Sequence, residues 1–300
     1  MDATRICLLP ERGVIEVGGP EASAFLQGLV TNDVDKAGPA HVIYAALLTP
    51  QGKYLFDFFV LRHGDTYLLD CEAARLAELS KRLNFYKLRA KVTIRDASPD
   101  FRVGAAIGPA GLEALGLPSI AGSAKMLNDA IVYTDPRHAA MGARLMLPLA
   151  DLDAYEITPT DTYHQLRISL GIAEGAADIA IEKYFLLEAN FEELNGVDFK
   201  KGCYVGQELV SRMKHRNAVR KRILPVRIEG PCPPAGAPIL AAGREAGRLH
   251  SIHGENALAY LRLTALALGA PALQCGAAKL APRVPDWLPL SLPETDDEQD

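Results

Sequence analysis

The sequence has no long apolar run and no clustered cysteines, and these absences exclude several classes of protein. Nowhere do 18 or more apolar residues follow one another, so no membrane-spanning helix is predicted. The five cysteines, at positions 7, 71, 203, 232 and 275, form no Cys-x-x-Cys pair and no zinc-like cluster with histidine. We therefore expect no zinc site, no resident iron–sulfur cluster and no disulfide framework, but at least one free thiol.

Common catalytic signatures are also missing. The sequence contains no Gly-x-Gly-x-x-Gly, no Gly-Lys-Ser/Thr phosphate loop, no Gly-x-Ser-x-Gly and no His-Glu-x-x-His. Dinucleotide oxidoreductases, nucleotide hydrolases, serine hydrolases and zinc proteases are therefore disfavoured. Only four apolar residues lie between Met1–Arg5 and Pro10. This pattern is typical of neither a signal peptide nor a transit peptide. We expect a cytoplasmic protein with no membrane partner.

Charge is distributed unevenly along the 300 residues. The net charge is −5, yet residues 200–222 carry eight Lys or Arg and one acid. Such a run is usually a solvated face, and here it also fits an anionic ligand or partner. Residues 294–300 hold five acids, so we expect residues 291–300 to form a disordered acidic tail. With 49% hydrophobic residues, the chain has the composition of a globular protein.

Strand and helix patterns predict an α+β fold with an antiparallel sheet. Apolar runs at 42–48 and 54–61 flank a Pro/Gly turn and predict a hairpin, and a helix is expected from position 20 to about 32. Further strands are expected at 14–17, 66–69, 91–95, 103–107, 130–133 and 144–147, and further helices at 76–83 and 160–170. Short β runs after residue 222 predict a small barrel or sandwich. The expected domains are residues 1–222, a barrel at 223–290, and the tail.

The segment Lys200–Glu208 places a single thiol, Cys203, between Gly202 and Gly206 and directly after two lysines. Cationic neighbours favour the thiolate, which is the form that attacks or binds metal. A short helix beginning at Gln207 would add the positive end of its dipole. The competing interpretation is a buried cysteine in a tight turn, and spacing alone does not choose between the two.

Three polar residues in apolar surroundings are candidate ligand contacts. Asp57 interrupts the run Tyr54–Val60, so its carboxylate must find partners, reach solvent or shift its pKa. On an aromatic floor it would suit a flat, amine-bearing heterocycle; alternatively, it points outward at a sheet edge. Glu188 and Asn190 lie just upstream of the thiol segment. They could bind a ligand's polar edge or serve as ordinary loop polarity.

The thiol motif and three further segments resemble the YgfZ-type folate-binding proteins. These proteins are relatives of the glycine-cleavage T-protein (aminomethyltransferase) and act in iron–sulfur protein maturation. The motif is Lys201–Glu208, and the further segments are Phe25–Val34, Leu48–Lys53 and the stretch from Leu187 to Lys214. The resemblance implies a three-lobed fold with mixed and antiparallel sheets, a C-terminal barrel and a tetrahydrofolate cofactor in a central hole.

The resemblance also implies site residues. Asp57 matches the strand aspartate that is central to catalysis in T-proteins, and Cys203 is implied to be the reactive group. The implied folate contacts, with no metal ligand among them, are Asp57, Glu188, Asn190, Lys201, Tyr204, Gln207 and Arg212. Ser169 departs from the pattern, since T-proteins have a glutamate there in a Leu-Arg-x-Glu-x-Gly segment. This departure weakens a prediction of aminomethyl transfer.

Three functions follow as hypotheses. The first is a tetrahydrofolate-binding accessory factor for assembly or repair of iron–sulfur enzymes, in which Cys203 reacts and the basic run holds the glutamate tail of folate or an acidic partner protein. The alternative is a folate-dependent aminomethyltransferase or other one-carbon transferase, with Asp57 orienting the folate amine. The third is RNA binding through residues 212–222, although Tyr204 is the one aromatic residue within 200–222 and offers no stacking platform.

Overall fold

The structure is a computed structural model that describes residues 4–267 and 270–290. The acidic tail expected at 291–300 lies outside the described residues. By its internal contacts the chain divides into two compact units. The first contains the described residues up to Tyr163 together with Leu194–Gln207, and the second contains His164–Glu193 together with the described residues from Glu208 onward.

The first unit contains two β-sheets. Its strands are β1 (Thr4–Leu8), β2 (Arg12–Gly18), β3 (Ile43–Leu48), β4 (Tyr54–His63), β5 (Thr66–Glu72), β6 (Thr93–Asp96), β7 (Phe101–Ile107), β8 (Ala124–Leu127), β9 (Ala130–Thr134), β10 (Gly142–Pro148) and β11 (Tyr155–Thr158). A five-stranded antiparallel sheet has the order β3-β4-β5-β2-β6. A six-stranded sheet has the order β11-β1-β7-β10-β9-β8 and is mixed, because β1 and β11 run parallel.

The helices of the first unit include one that is shorter than the sequence pattern predicts. They are α1 (Ala22–Gln27), α2 (Leu76–Lys87) and α3 (Gly108–Ala114). Helical spacing extends α1 to about Asn32, but the helix ends at Gln27 and the chain turns at Gly28. The carbonyl groups of Gln27, Val30 and Asn32 all bind the amine of Lys201. The helix thus ends earlier than the spacing of its apolar residues predicts, because the carbonyls at its end and after it bind a residue that is distant in sequence.

The second unit is built around a closed six-stranded β-barrel. Its strands are β12 (Lys221–Glu229), β13 (Pro238–Ala241), β14 (Arg244–His253), β15 (Asn256–Arg262), β16 (Leu273–Cys275) and β17 (Ala278–Pro282). They follow the order β12-β15-β14-β13-β16-β17, and paired strands are antiparallel. Leu224, Val226, Leu249 and Leu261 belong to its buried core. The barrel therefore has its own hydrophobic core and no free sheet edge.

The remaining helices are short. The α-helices are α4 (Asp161–Leu170), α5 (Gly175–Asp178) and α6 (Gln207–His215). Single turns of 3₁₀ helix occur at Val34–Lys36, Ala73–Arg75, Ala139–Met141, Leu186–Ala189 and Leu263–Leu266, and a longer one at Leu149–Ala154. Within residues 4–267 and 270–290, no helix combines the length and apolar character needed to cross a membrane.

The predicted α+β class and C-terminal barrel are confirmed. The hairpin predicted at 42–61 is β3 and β4, and the barrel begins at Lys221, two residues before the predicted boundary. The sequence pattern did not predict β1, β8, β11, β16 or β17. These strands have at most five residues, too few for alternation between apolar and polar residues to stand out.

A buried ion network links the two sheets of the first unit. Asp70 on β5 is fully buried, and its carboxylate accepts a hydrogen bond from Arg12 Nε on β2 and another from Arg144 Nη2 on β10, both at 2.6 Å. The Tyr133 hydroxyl on β9 donates to the same carboxylate at 3.3 Å. Burial by itself raises the pKa of Asp70, but the two guanidinium groups outweigh it and hold the pKa below its ordinary value. The carboxylate is therefore ionised at neutral pH.

Replacing Asp70 with Asn should destabilise the protein by about 3–5 kcal/mol, because two buried guanidinium groups lose their counter-charge. Chemical denaturation followed by circular dichroism measures the change. The matched control is Asp65→Asn, because Asp65 is solvent-exposed and lies 3.7 Å from Arg62; its denaturation midpoint should equal that of the wild type. The advantage of wild type over Asp70→Asn should shrink as the pH falls below about 4, toward the lowered pKa of Asp70. A midpoint unchanged by Asp70→Asn would contradict this account.

Candidate functional site

Cys203 lies on an exposed loop of the first unit, so the alternative of a buried turn cysteine is wrong. The neighbouring Lys201 anchors this loop. Its buried amine donates hydrogen bonds to the carbonyl oxygens of Gln27 at 2.9 Å, Val30 at 2.5 Å and Asn32 at 2.8 Å. An ammonium group has three donors, and three carbonyls accept them. Lys201 therefore holds the loop in place instead of offering its charge to a ligand.

The charge of Lys201 is balanced by its surroundings. Burial lowers the pKa of Lys201 to about 8, whereas the carboxylates of Asp33 and Asp198 act in the opposite direction. Asp198 also forms an ion pair with Lys36 at 2.5 Å, and its backbone amide donates to Thr31 O at 3.0 Å. The loop that carries the thiol is thus connected to the segment after α1 by charge as well as by hydrogen bonds.

The Thr-Asn pair after α1 provides further anchors for the same loop. Thr31 Oγ1 donates to the carbonyl of Gly196 at 2.6 Å. Asn32 Nδ2 donates to the carbonyls of Asn195 and Tyr44, both at 2.8 Å. The first segment picked out by the resemblance therefore serves to position the thiol loop, a role that its sequence did not indicate.

Gly206, the second glycine of the motif, packs against the β3–β4 hairpin. It has a φ of +84°, and a Cβ atom there would lie 2.5 Å from Thr49 O and 3.1 Å from Leu48 Cβ. Glycine alone combines this backbone conformation with so close an approach. Gly202 differs, because its φ is not positive and a Cβ atom would meet nothing within 4 Å. Only the second glycine is required by packing.

Asp57 on β4 points into the first unit and not outward at a sheet edge. It is 3% exposed; Oδ2 accepts a hydrogen bond from the Tyr44 hydroxyl at 2.9 Å, and Oδ1 accepts one from the Tyr54 hydroxyl at 2.5 Å. Burial and the nearby Asp57 charge raise the pKa of Tyr54 well above its ordinary value, so Tyr54 remains a donor. The crevice beside Asp57 has no room for a water molecule. The carboxylate is enclosed by tyrosine hydroxyls.

Glu188 and Asn190 belong to the second unit, where their side chains form hydrogen bonds with residues of the barrel strands. Glu188 Oε2 accepts a hydrogen bond from the Tyr260 hydroxyl at 2.8 Å. The Tyr260 ring stacks on Tyr184 with 3.7 Å between ring centres. Asn190 Nδ2 donates to the carbonyl of Ile223, on β12, at 2.8 Å. Both predicted ligand contacts therefore bind strands of the barrel.

Tyr204 has a buried hydroxyl without a hydrogen-bond partner in the part of the chain that the structure describes. The residue is 7% exposed, and burial raises its pKa. Its ring centre lies 5.2 Å from Lys201 Nζ, and its carbonyl accepts the backbone amide of Gln207 at 3.3 Å. Of the predicted contacts in the first unit, Tyr204 is the one whose polar atom is buried and unpaired.

The basic run is partly neutralised by protein groups. Lys201 binds carbonyls, Lys214 forms an ion pair with Glu192, and Arg222 forms one with Glu193 at 2.8 Å. Arg212 is exposed on α6. The run therefore contributes less free positive charge than the sequence count indicates, which weakens both the RNA hypothesis and a strong anion site.

The cysteines differ in accessibility. Cys203 and Cys232 are exposed, and the other three are buried. Burial raises the pKa of Cys7 to about 11 and that of Cys71 to about 12, so both remain thiols at neutral pH. Across residues 4–267 and 270–290, no three His, Cys, Asp or Glu side chains form a group that could hold a metal ion.

Comparison with known proteins identifies the family of this chain. Residues 10–146 match the family model of the GCVT N-terminal domain, and residues 220–290 match that of the CAF17 C-terminal beta-barrel domain. The mitochondrial iron–sulfur cluster assembly factors IBA57 of Mus musculus and Homo sapiens are each 34% identical to the chain, and each alignment covers 94% of this chain and 84% of the relative. The chain belongs to the IBA57 family.

The family assignment refines the resemblance seen in the sequence. Its superfamily is confirmed by the match of residues 10–146 to the GCVT N-terminal domain. The crystal structure of the glycine cleavage system aminomethyltransferase T from Bartonella henselae has a similar fold, with a TM-score of 0.74 over 95% of this chain and 86% of that one. At 16% identity this match shows the fold alone. The predicted cytoplasmic location is wrong by this comparison, since the IBA57 relatives named above are mitochondrial. That prediction rested only on the composition of the first residues.

A T-protein-like fold raises the question of whether this IBA57-family chain fits tetrahydrofolate. The polar atoms of Asp57, Glu188, Asn190 and Lys201 bind partners within their own units. Ser169, at the position of the T-protein glutamate, donates its hydroxyl to Leu166 O at 2.8 Å. As placed, the polar atoms of these residues already have protein partners. Their role in binding stays a prediction, as do those of Tyr204, Gln207 and Arg212.

Alanine substitutions at Gly206 and Gly202 should show which of the two motif glycines the packing of the loop requires. Gly206→Ala should destabilise the protein by about 1–3 kcal/mol, because a β-carbon would clash with Thr49 and occupy a positive φ. Gly202→Ala should leave the thermal midpoint unchanged, because its β-carbon enters open space. Differential scanning calorimetry of both variants measures the difference. Equal midpoints for the two variants would show that the loop does not rest on the hairpin.

Proposed function

We propose that this chain acts in the maturation of iron–sulfur proteins, as an accessory factor that presents Cys203 to a cluster in transit. The observation that carries the proposal is an exposed thiol on a loop anchored by Lys201 before it and by Gly206 after it. Membership of the IBA57 family supports the choice of cargo, because its named members are iron–sulfur cluster assembly factors.

The number of available ligands determines how the thiol acts. Protein-bound clusters are commonly held by four cysteine thiolates. Because the described residues contain no metal-binding group of three side chains, Cys203 supplies one ligand and a partner protein supplies the others. Ligation requires the thiolate: the proton of Cys203 passes to solvent, a sulfur–iron bond forms, and the iron releases one earlier ligand. The partner is an iron–sulfur assembly or client protein.

The anchored loop matters for such a transfer. A thiol on a mobile segment loses conformational freedom each time a partner docks, and that loss weakens binding. Here the hydrogen bonds of Lys201, Thr31 and Asn32 hold the loop before the partner arrives. The sulfur is thus accessible while its backbone is preorganised, which suits a ligand that must be gained and released.

Cys203→Ser should abolish rescue of iron–sulfur enzyme activity in a strain that lacks the native protein, because a serine hydroxyl does not replace a thiolate as a soft iron ligand. The matched control is Cys232→Ser, which removes the other exposed thiol and should rescue fully. Enzyme activity per unit of expressed protein is the measurement. Both variants should unfold at the wild-type midpoint, so a loss of rescue reports chemistry. Full rescue by Cys203→Ser would exclude the thiol role.

A folate-dependent function is the second candidate, favoured by the fold shared with the T-protein. The enclosed carboxylate of Asp57 and the serine at position 169 argue against aminomethyl transfer through those residues. We therefore expect that Asp57→Asn does not change the affinity for tetrahydrofolate, measured by calorimetric titration of both proteins. Saturable binding that Asp57→Asn abolishes would instead support the folate-dependent function. This outcome is independent of the Cys203 experiment.

A further inference from the structure

The end of helix α2 and the loop after it present apolar and basic side chains to solvent. Phe85 is 69% exposed and Leu88 is 87% exposed, although both are large hydrophobic residues. Residues 81–91 also contain five Lys or Arg and no acid. We call residues 81–91 the basic tip. This combination lies outside the site described above, and neither the thiol chemistry nor the fold accounts for it.

The local structure explains why these apolar groups are not buried. Helix α2 buries Leu79 and Leu83 against the first unit, so Phe85 lies off the buried face. The helix ends at Lys87, and Leu88 has φ +45° and ψ −107°, a conformation that residues with side chains rarely adopt. An unfavourable backbone that holds a leucine in solvent is a feature that contact with another surface would explain.

The charges of the basic tip are not used within the protein. In the part of the chain that the structure describes, none of its five cationic side chains forms an ion pair; they are Lys81, Arg82, Lys87, Arg89 and Lys91. Three acids close to the tip in the fold bind groups other than its cationic side chains. Glu78 pairs with Arg75, Glu21 accepts the backbone amide of Lys91, and Asp96 accepts the amide of Ser98. The tip is therefore positive while the whole chain has a net charge of −5.

We propose that the basic tip binds the surface of an anionic membrane. Phe85 and Leu88 enter the headgroup region, and the five cations contact anionic lipid headgroups around them. Lysine and arginine stems are long enough to keep their charges at the headgroups while the apolar residues lie deeper. This contact needs no membrane-spanning helix. The lack of a long apolar run in the sequence argues only against such a helix.

A lipid surface fits these residues better than a protein partner does. Two strongly exposed apolar side chains need a matching pocket on a protein, whereas a bilayer accepts any protruding shape. Three of the five cations are lysines, which are depleted in protein–protein interfaces. Apart from the partly neutralised run at 200–222, the rest of the chain is acidic, so attraction of the tip to an anionic surface would help to orient the protein on the membrane.

Vesicle sedimentation tests the proposal with the full chain. The wild type should bind vesicles of phosphatidylcholine containing about a third phosphatidylserine and should not bind phosphatidylcholine alone. The double variant Lys87→Gln/Arg89→Gln should bind about 25-fold more weakly, since each cation near an anionic surface contributes about a fivefold factor. Phe85→Ser should weaken binding about tenfold or more by removing buried apolar area.

Matched controls separate the tip from general charge and exposure. Lys279→Gln/Arg227→Gln removes two exposed cations from the barrel, and Ile120→Ser removes another exposed hydrophobic residue, 64% accessible; neither should alter vesicle binding. Leu88→Gly should raise the thermal midpoint by relieving the positive φ while weakening vesicle binding, so folding and binding move in opposite directions.

Several outcomes would overturn the proposal. One is failure of the wild type to sediment with anionic vesicles, and another is equal loss of binding in the control variants. A third is capture of the wild type by a poly-glutamate peptide, dependent on Lys87 and Arg89, without any vesicle binding. That third result would make the tip a docking surface for an acidic protein.

Discussion

The buried carboxylate of Asp70 binds a guanidinium group from each sheet of the first unit, and the arrangement of that unit depends on this interaction. An isolated charge at this depth would be costly, but Arg12, Arg144 and Tyr133 supply a hydrogen bond or counter-charge to its oxygens. The network connects β5 to the six-stranded sheet. Strand β4, which carries Asp57, pairs with β5, and the β3–β4 hairpin supports the glycine turn of the thiol motif.

From this support the thiol loop obtains its fixed position. In the sequence, two lysines directly precede the cysteine and could act on the thiol through their charge. In the folded chain the amine of Lys201 is bound by carbonyls, and Gly206 fits a space that admits no side chain. Most of the motif is thus structural, and its effect is to expose Cys203 on a rigid backbone. Such a motif suits a ligand offered to a partner's cluster more than a nucleophile in an enclosed pocket.

The fold of this chain is that of an aminomethyltransferase, but several of its candidate site residues bind other protein groups. It has a fold similar to that of aminomethyltransferase T, but Asp57 binds two tyrosines and Glu188 binds Tyr260. The polar groups of Asp57, Glu188, Asn190 and Lys201 have protein partners, whereas the buried hydroxyl of Tyr204 has none among the described residues. This IBA57-family chain therefore has a fold similar to that of aminomethyltransferase T and an exposed cysteine in its thiol motif. Its basic tip adds a surface that neither the scaffold nor the thiol requires.

Some features could be predicted from local sequence because local physics determines them. The β3–β4 hairpin follows from two apolar runs around a Pro/Gly turn, and the barrel from short strands between turns. Other features depend on contacts between residues far apart in sequence. The early end of α1, the enclosure of Asp57 and the anchoring of Lys201 each join distant segments, so no local period encodes them. Sequence by itself determined the fold class, the hairpin and the barrel, whereas tertiary structure decided which polar groups are free, because only packing brings their partners together.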